Sequence, residues 1–221
     1  MSTFDLEAAD LGEILARQEG AAVRRSGGLG SNATLSRNGL SGDQIRYFLD
    51  GVPLDVAGLP MGVQNVPPQL LGELVIYRGV VPAVLGSDAL GGAIELRTRP
   101  PGAGSEVAAN YQVGSFNTHR ISAVASHRFD NDVFVKSYGF FDHSDNDYEV
   151  PNAVIADNGR DEIVPLERFN DAYTATGGSI EIGLDDHVRW GDLSVRGYAS
   201  STRRELQNDP FGQLPFGEAE T

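Results

Sequence analysis

Four acidic residues lie close together in the sequence and could supply oxygen ligands for a metal ion. They are Asp142, Asp145, Asp147 and Glu149. Calcium prefers such carboxylate oxygens, but an EF-hand loop also needs a glycine at its sharp turn, and none stands at that position. We therefore favour a solvated acidic loop over a calcium site.

Other combinations of reactive residues do not occur in the sequence. The spacing of the four histidines, at positions 119, 127, 143 and 187, does not suit zinc. The chain has no cysteine, which removes thiolate metal sites, disulfides and a cysteine nucleophile. No nucleophile elbow built around a serine is present. We accordingly predict no catalytic residue, no metal site and no cofactor, and hence a protein that is not an enzyme.

One glycine-rich segment matches a cofactor motif. Gly28-Leu29-Gly30-Ser31-Asn32-Ala33 fits the G-x-G-x-x-A pattern of dinucleotide-binding loops. That chemistry requires a helix directly after the glycines, because the helix N-terminus holds the pyrophosphate. Ala33–Ser36 is β-prone and is followed too soon by Gly39 to form one. We predict a glycine-rich connecting loop here.

Charge and hydropathy exclude further classes of protein. The 221 residues carry a net charge of −14, and the Lys and Arg residues are scattered, which argues against binding nucleic acid. No run of about 18 apolar residues occurs, so we expect no transmembrane helix. The first five residues lack the basic and apolar regions of a signal peptide.

The first hundred residues predict a small unit that mixes helix and strand. Asp5–Gln18 has helical spacing of its apolar residues. Two apolar runs bounded by glycine and proline, Leu74–Tyr77 and Ala93–Leu96, predict buried strands of one sheet. Shorter β-prone segments precede them, at Val23–Ser26, Ala33–Ser36 and Ile45–Leu49. The linker Pro100–Gly104 divides the chain into predicted units 1–100 and 105–221.

From Val107 onward, apolar and polar residues alternate with a period of two. This pattern predicts about five antiparallel strands as far as Thr202. Asp130–Asp132 and Asp185–His187 predict tight turns, and His143–Asn170 predicts a long polar loop. Strands of this kind suit a membrane-spanning barrel with an apolar outer face, or a soluble sandwich.

Three segments resemble the plug domain of TonB-dependent outer-membrane receptors. Glu73–Gly79 and Leu85–Thr98 are similar to the family motifs E-R-I-E-V-I-R-G and Y-G-S-x-A-x-G-G-x-I-N-I-x-T. Gly39–Pro53 is similar to R-G-x-x-x-x-Q-V-x-V-x-L-D-G-V-P. The resemblance implies an α+β plug domain, a small mixed sheet with short helices, over residues 1–100. Residues 105–221 would supply the first strands of an incomplete antiparallel transmembrane β-barrel.

The resemblance also implies a function. It is TonB-dependent uptake of a scarce nutrient, such as a siderophore-iron complex or cobalamin, across the bacterial outer membrane. The partners would be TonB, outer-membrane lipid and a small-molecule ligand, with no nucleic acid. The family's TonB box would precede the first residue of this sequence. Since the smallest barrels need about eight strands, we interpret the chain as a fragment.

Roles for individual residues follow from the same resemblance. In the family, the Arg at the position of Arg78 lies on the plug surface and pairs with carboxylates of the barrel wall. Asn38 occupies the position of a second such Arg, so a complete charge cluster of that kind is not expected. The ligand-facing apices of the plug correspond to Ser26–Asn32, Ser41–Gln44 and Val56–Val63. Candidate ligand contacts within them are Asn32, Ser41, Asp43, Leu59 and Met61.

A β-rich soluble or surface-attached binding module without transport activity is the alternative. It would use the same alternation to pack a sandwich. This module would be soluble without detergent, whereas an open sheet of barrel strands would not.

Overall fold

The chain folds into a small N-terminal unit of helix and short strands, followed by long antiparallel strands. The computed structural model describes residues 11–17, 21–25, 27–31, 33–37, 40–41, 45–54, 66, 70–77, 81–82, 85, 92–155, 161–187, 191–207 and 215–220. The N-terminal elements are α1 (Leu11–Ala16), β1 (Ala21–Arg25), β2 (Ala33–Arg37), β3 (Leu40–Ser41), β4 (Arg46–Leu49), β5 (Val52–Pro53), β6 (Leu71–Tyr77) and β7 (Ala93–Thr98). The later strands are β8 (Gly104–Gly114), β9 (Thr118–Arg128), β10 (Val133–Ser144), β11 (Glu149–Ile155), β12 (Asp161–Glu167), β13 (Tyr173–His187), β14 (Gly191–Gln207) and β15 (Pro215–Glu220).

The two apolar runs form neighbouring strands, as predicted. They belong to β6 and β7 of a four-stranded sheet of order β5-β4-β7-β6, in which β6 is an edge strand and β7 pairs antiparallel with β6 and parallel with β4. Ile76 lies opposite Ile94, and Leu74 lies opposite Leu96. A second sheet has the order β1-β2-β3. Both sheets are built from short strands and need a shared core to be stable.

The helix supplies that core together with the sheet. Leu11, Ile14 and Leu15 have the i, i+3, i+4 spacing of one helix face and are buried with Ile94 and Leu96. Each such side chain contributes about 1.5–3 kcal/mol on burial. The helix predicted over residues 5–18 is thus confirmed at 11–16; the rest of that range, apart from Arg17, lies outside the described residues. Within the described residues, no helix has the length and apolarity required to cross a membrane.

A two-residue turn joins β4 to β5. Asp50 and Gly51 have φ angles of 47° and 80°. Positive φ at both central positions is the type I′ hairpin turn, for which Asp-Gly is a preferred pair. The Asp50 N–H also donates to Leu96 O at 2.9 Å, which ties the turn to β7. The turn therefore holds the Asp50 carboxyl at one defined place, beside the end of β7.

The alternating region forms a six-stranded antiparallel sheet of order β15-β14-β13-β10-β9-β8. Strands β8, β9 and β10 have 11, 11 and 12 residues, long enough to cross a bilayer when tilted. In the described part of the chain, β15 and β8 do not pair with each other, so the sheet is open. The prediction of about five antiparallel strands as far as Thr202 is confirmed by β8, β9, β10, β13 and β14, and β15 adds a sixth beyond that range.

The two faces of this sheet differ in chemistry. The outer face carries exposed apolar side chains, including Val107, Val113, Ile121, Ile180, Ile182, Leu193 and Val195. The inner face, here called the wall, packs against the N-terminal unit. Its buried members include Phe134, Lys136, Tyr138, Phe140, Asp142 and Glu181. An apolar outer and a polar inner face are what a membrane-spanning strand with a watery lumen requires.

Two turn and loop predictions need correction. The turn at Asp130–Asp132 is confirmed, but that at Asp185–His187 is wrong. Strand β13 continues to His187, which pairs with Gly191 of β14 after a register shift. The long polar loop predicted at His143–Asn170 contains the hairpin β11–β12. Its β-branched residues, in the sequences EVPNAVI and DEIVPLE, favour strands despite the acidic flanks.

Candidate functional site: the contacts between the N-terminal unit and the wall

Asp50 joins the N-terminal unit to the wall. Its Oδ1 accepts the Thr98 N–H at 2.7 Å, and its Oδ2 accepts the Thr98 hydroxyl at 2.8 Å. The same Oδ2 accepts a hydrogen bond from Arg196 Nη2, which comes from β14 on the wall. The carboxylate thus has partners on both sides of the interface.

Arg196 has a second carboxylate partner on the wall. Its Nη2 lies 2.7 Å from Glu181 Oε2, and its Nε donates to the same oxygen at 3.2 Å. Lys136 Nζ lies 3.1 Å from Glu181 Oε2 and donates to Thr98 Oγ1 at 2.6 Å. The chain of contacts therefore closes on itself through Thr98. We call Asp50, Thr98, Lys136, Glu181 and Arg196 the latch.

The latch is electrically balanced and largely removed from solvent. It holds two carboxylates and two cations, with side-chain exposure of 25% for Asp50, 18% for Arg196, 9% for Glu181 and 11% for Lys136. Burial by itself raises the pKa of the Asp50 carboxyl. The hydrogen bonds from Thr98 and the ion pair with Arg196 outweigh burial and hold that pKa below its ordinary value. Asp50 is therefore a carboxylate at neutral pH, as the ion pair requires.

A cavity of about 350 Å³ lies beside the latch. On the N-terminal side it is lined by Leu49, Asp50 and Val52. Its wall side is formed by Tyr138, Gly178, Ser179, Glu181, Ser194, Arg196 and Tyr198. The cavity is polar and roomy enough to admit water to the ion pairs.

A second contact, here called the clamp, holds the glycine-rich loop 27–31. Asn146 Oδ1 accepts the Leu29 N–H at 3.0 Å, and Asn146 Nδ2 donates to Leu29 O at 2.9 Å. One side-chain amide thereby satisfies both backbone groups of Leu29, as a neighbouring strand would. Arg204 Nη1 donates to Gly30 O at 3.1 Å. The backbone polarity of the loop is thus paired with the wall.

The glycines of this loop are explained by the clamp. A Cβ on Gly28 would lie 2.2 Å from Asn146 Oδ1, and one on Gly30 would lie 2.1 Å from a Tyr173 ring atom. Gly30 also has a φ of 78°, which disfavours any residue with a Cβ. The segment after the loop is strand β2, not a helix. The prediction of a connecting loop followed by a β-prone segment is confirmed.

The acidic run does not behave as one solvated loop. Asp142 is inward-facing on β10, 3% exposed, and its two carboxylate oxygens accept hydrogen bonds from Arg120 at 3.1 and 3.2 Å. Asp145 lies 3.1 Å from His143 Nε2. Asp147 and Glu149 are exposed. The expectation was therefore wrong for Asp142, because strand β10 extends further than the sequence pattern indicated.

Most residues assigned a role by resemblance lie outside the described residues. This holds for Asn32, Asp43, Leu59 and Met61 among the ligand candidates. It also holds for Arg78 and Asn38, the candidate contacts with the wall. Ser41 is described as the last residue of β3, paired with Ser36. The roles given to these seven residues remain predictions.

The residues that do meet at the interface were missed as site residues. Asp50 stands in the segment that carried the family resemblance, and its Asp-Gly turn signal was available in the sequence. Nothing local marks Arg196 or Asn146. Their partners are 146 and 117 positions away in the chain.

The N-terminal unit matches a known family. Residues 4–93 match the family model described as the TonB-dependent receptor plug domain.

Solved structures of receptors share the fold. The copper transporter OprC is 20% identical, with 90% of this chain and 28% of that protein covered and a TM-score of 0.62. The FrpB iron transporter from Neisseria meningitidis is 17% identical, with coverage of 97% and 32% and a TM-score of 0.62. The ferric yersiniabactin uptake receptor FyuA from Yersinia pestis is 16% identical, with coverage of 88% and 29% and a TM-score of 0.59.

This chain spans less than a third of the length of each of these proteins. The match to them begins in the plug and continues through the antiparallel strands, since about nine-tenths of the chain is covered. Residues 4–93 therefore match the plug-domain family of TonB-dependent receptors, and about nine-tenths of the chain shares the fold of these solved receptors.

Proposed function

We propose that this chain is part of a TonB-dependent receptor that takes up a scarce nutrient across the bacterial outer membrane. The observation that carries the proposal is a plug-family domain seated on the polar face of a sheet whose opposite face is apolar. An apolar outer face is suited to contact with lipid, and a plug packed against the inner face is suited to closing a channel. We expect no covalent chemistry.

The ligand class we propose is a siderophore-iron complex or cobalamin. Proteins with this fold include a pyoverdine receptor from Pseudomonas aeruginosa and a ferric yersiniabactin uptake receptor, whereas cobalamin is proposed from the family resemblance alone. TonB is the proposed energy-coupling partner, acting on the plug. Plug residues 1–100 and barrel residues 105–221 are the proposed units.

Uptake by cells that express the full-length receptor tests this proposal. We expect accumulation of a labelled ferric siderophore or labelled cobalamin that is lost when the tonB gene is deleted. Accumulation of neither cargo, or equal accumulation without TonB, would overturn it.

The alternative binding module makes a different prediction for the isolated chain. The exposed apolar outer face favours the receptor, because a monomer that exposes such a face aggregates in water. We expect residues 1–221 to need detergent. A monodisperse monomer without detergent would favour the soluble sandwich.

For the ligand site we propose the plug apices, with Asn32, Ser41, Asp43, Leu59 and Met61 as contacts. These segments combine polar groups with apolar ones, which is the usual composition of a small-molecule site. Asp43→Ala combined with Leu59→Ala should weaken binding of the cargo found by uptake and leave barrel insertion unchanged. Unaltered affinity of the purified receptor would assign the site to the barrel loops. Arg78 and Asn38 are proposed contacts between plug and barrel.

A further inference from the structure

The clamp belongs to the base of the β11–β12 hairpin as much as to the wall. Asn146 lies between β10 and β11, is 2% exposed and has a φ of 52°. Besides its two hydrogen bonds with Leu29, its Nδ2 donates to Asp171 O at 3.0 Å. Asp171 lies on the other leg of the hairpin, just after β12. One amide therefore ties together both legs of the hairpin and the plug loop.

Further polar contacts stabilise the base of the β11–β12 hairpin. Asp171, 3% exposed, accepts from Arg168 Nε at 2.8 Å and from Arg204 Nη2 at 3.2 Å. Arg204 in turn holds Gly30 O. The Arg168 N–H donates to Tyr148 O at 3.0 Å, and the Arg168 guanidinium lies 5.4 Å from the centre of the Tyr148 ring. The legs are thus joined to each other at the point where they reach the plug.

Plug loop 27–31 packs closely against both legs of the hairpin. The loop therefore cannot keep its present contacts if the legs move. The space beyond Gly28 is filled by the Asn146 amide, and a Cβ on Gly27 would lie 2.9 Å from the Tyr148 hydroxyl. The polar contacts described for Leu29 and Gly30 are to their backbone groups, so no side chain of these two residues can adjust to preserve them. A displacement of the hairpin must break them or carry the loop along.

From this arrangement we infer that Asn146 is a positioning residue that couples the β11–β12 hairpin to plug loop 27–31. A contact made by the hairpin with a bound solute is transmitted to the plug through this amide. The role of such a solute rests on the proposed uptake function, whereas the coupling itself is a property of the chain. The position of loop 27–31 therefore depends on the position of the hairpin, because Asn146 already binds both backbone groups of Leu29.

Hydrogen exchange of the full-length receptor in detergent tests the coupling without any ligand. One variant replaces residues 151–165 with an Asn-Gly turn, which shortens the hairpin and leaves Asn146 and Asp171 in place. The second is Asn146→Ala, and the third combines both changes. The peptide that covers residues 27–31 is the reporter, and peptides over β6 and β7 are the internal reference. Asn110→Ala, at an inward position of β8, is the matched control.

We expect the shortened hairpin to speed exchange of the reporter about tenfold or more, since each tenfold corresponds to about one lost hydrogen bond. Asn146→Ala should do the same, and the combined variant should exchange no faster than Asn146→Ala. This non-additivity is what coupling through Asn146 requires, and a merely structural role would not give it. Asn110→Ala should leave the reporter unchanged.

Two results would overturn the inference. One is a reporter that does not respond to the shortened hairpin. The other is an equal further acceleration in the Asn146→Ala background, which would mean that coupling bypasses this residue. If Asn146→Ala fails to insert, Asn146→Asp replaces it, because it keeps the acceptor for Leu29 N–H and removes both donated bonds. Failure of uptake in the cell assay would leave the exchange result unaffected.

Discussion

Replacement of Asp50 should loosen the seating of the plug on the wall. Asp50→Ala removes two hydrogen bonds from Thr98 and one from Arg196, all three of them to the carboxylate. A hydrogen bond to a charged group contributes about 1.5–3 kcal/mol, but three that share one carboxylate are not additive. The loss stays below the roughly 3–5 kcal/mol of an isolated buried pair, because Arg196 keeps Glu181 and both groups are partly exposed. We expect a loss of about 2–4 kcal/mol in the free energy of unfolding of the seated plug.

A second substitution separates the charge from the turn. Asn tolerates the positive φ of this position and can still accept from Thr98. Asp50→Asn should therefore cost about half as much as Asp50→Ala, on the order of 1–2 kcal/mol. An equal loss in both variants would assign the whole effect to the charge. A loss in Asp50→Ala alone would assign it to the turn and the Thr98 bonds.

The assay is urea-induced unfolding of the plug in the full-length, detergent-held receptor. Hydrogen exchange of the peptide over residues 45–54 follows the transition. Glu73→Gln is the matched control, since its ion pair with Arg97 at 3.0 Å is solvent-exposed and contributes less than about 1 kcal/mol. An Asp50→Ala midpoint indistinguishable from that of Glu73→Gln would refute the latch as a stabilising contact.

The same carboxylate gives the seating a pH dependence. Its pKa in the seated plug lies below the ordinary value of 3.8, so the unseated state binds a proton more readily. The stabilisation is therefore fully present above that ordinary value and is lost as pH falls through the lowered one. At pH values below about 4, we expect the urea concentration at the midpoint of unfolding to decrease in the natural protein. In Asp50→Asn it should decrease less. An equal fall in both proteins would assign the acid response to other groups.

Three further predictions use the same assay or barrel insertion. Gly30→Ala should lower the free energy of unfolding of the plug more than twice as much as Gly51→Ala. Both glycines have positive φ, which costs a residue with a Cβ about 1 kcal/mol, but only at Gly30 would the Cβ also meet an aromatic ring. Glu181→Gln should lower the urea midpoint, because it leaves the two latch cations with one carboxylate; an unchanged midpoint would mean that water screens them. Ile182→Arg, on the outer face, should reduce insertion into lipid vesicles by about 2–4 kcal/mol, whereas inward-facing Ser122→Arg should insert normally; equal insertion would contradict the lipid-facing assignment.

Local patterns in the sequence were enough to predict the secondary structure that positions the site. Leu74–Tyr77 and Ala93–Leu96 are apolar runs between glycines and prolines, and each became part of a strand of one sheet. Alternation after Val107 gave both the strands and their outer face, since a period of two separates the faces without reference to the rest of the chain. The helix followed in the same way from the helical spacing of its apolar residues.

Pairings across the chain were beyond such patterns. The latch joins residues 146 positions apart and the clamp joins residues 117 apart, and the wall partners, Arg196 and Asn146, have no local sequence signal. The error at Asp185–His187 has the same origin, because acidic residues favour turns locally while the partner strand β14 prolonged β13. The distribution of charge across the interface was also not predicted. The resemblance led us to expect an arginine of the plug against carboxylates of the wall, whereas in the latch the plug supplies the carboxylate and the wall the arginine.

The placement of the carboxylate on the plug and the cations on the wall affects how the plug could leave and return. If Asp50 departs, Glu181 still contacts both Arg196 and Lys136, so neither cation is left buried without a partner. The clamp likewise takes only backbone groups from the plug, which water can satisfy. Most of the adhesion must then come from apolar packing, in which Tyr138, Phe140 and Tyr173 of the wall share a core with the plug. Apolar packing has no direction and would tolerate sliding. The latch and the clamp add the directional contacts that return the plug to one position, and release leaves no buried cation of the wall without a carboxylate.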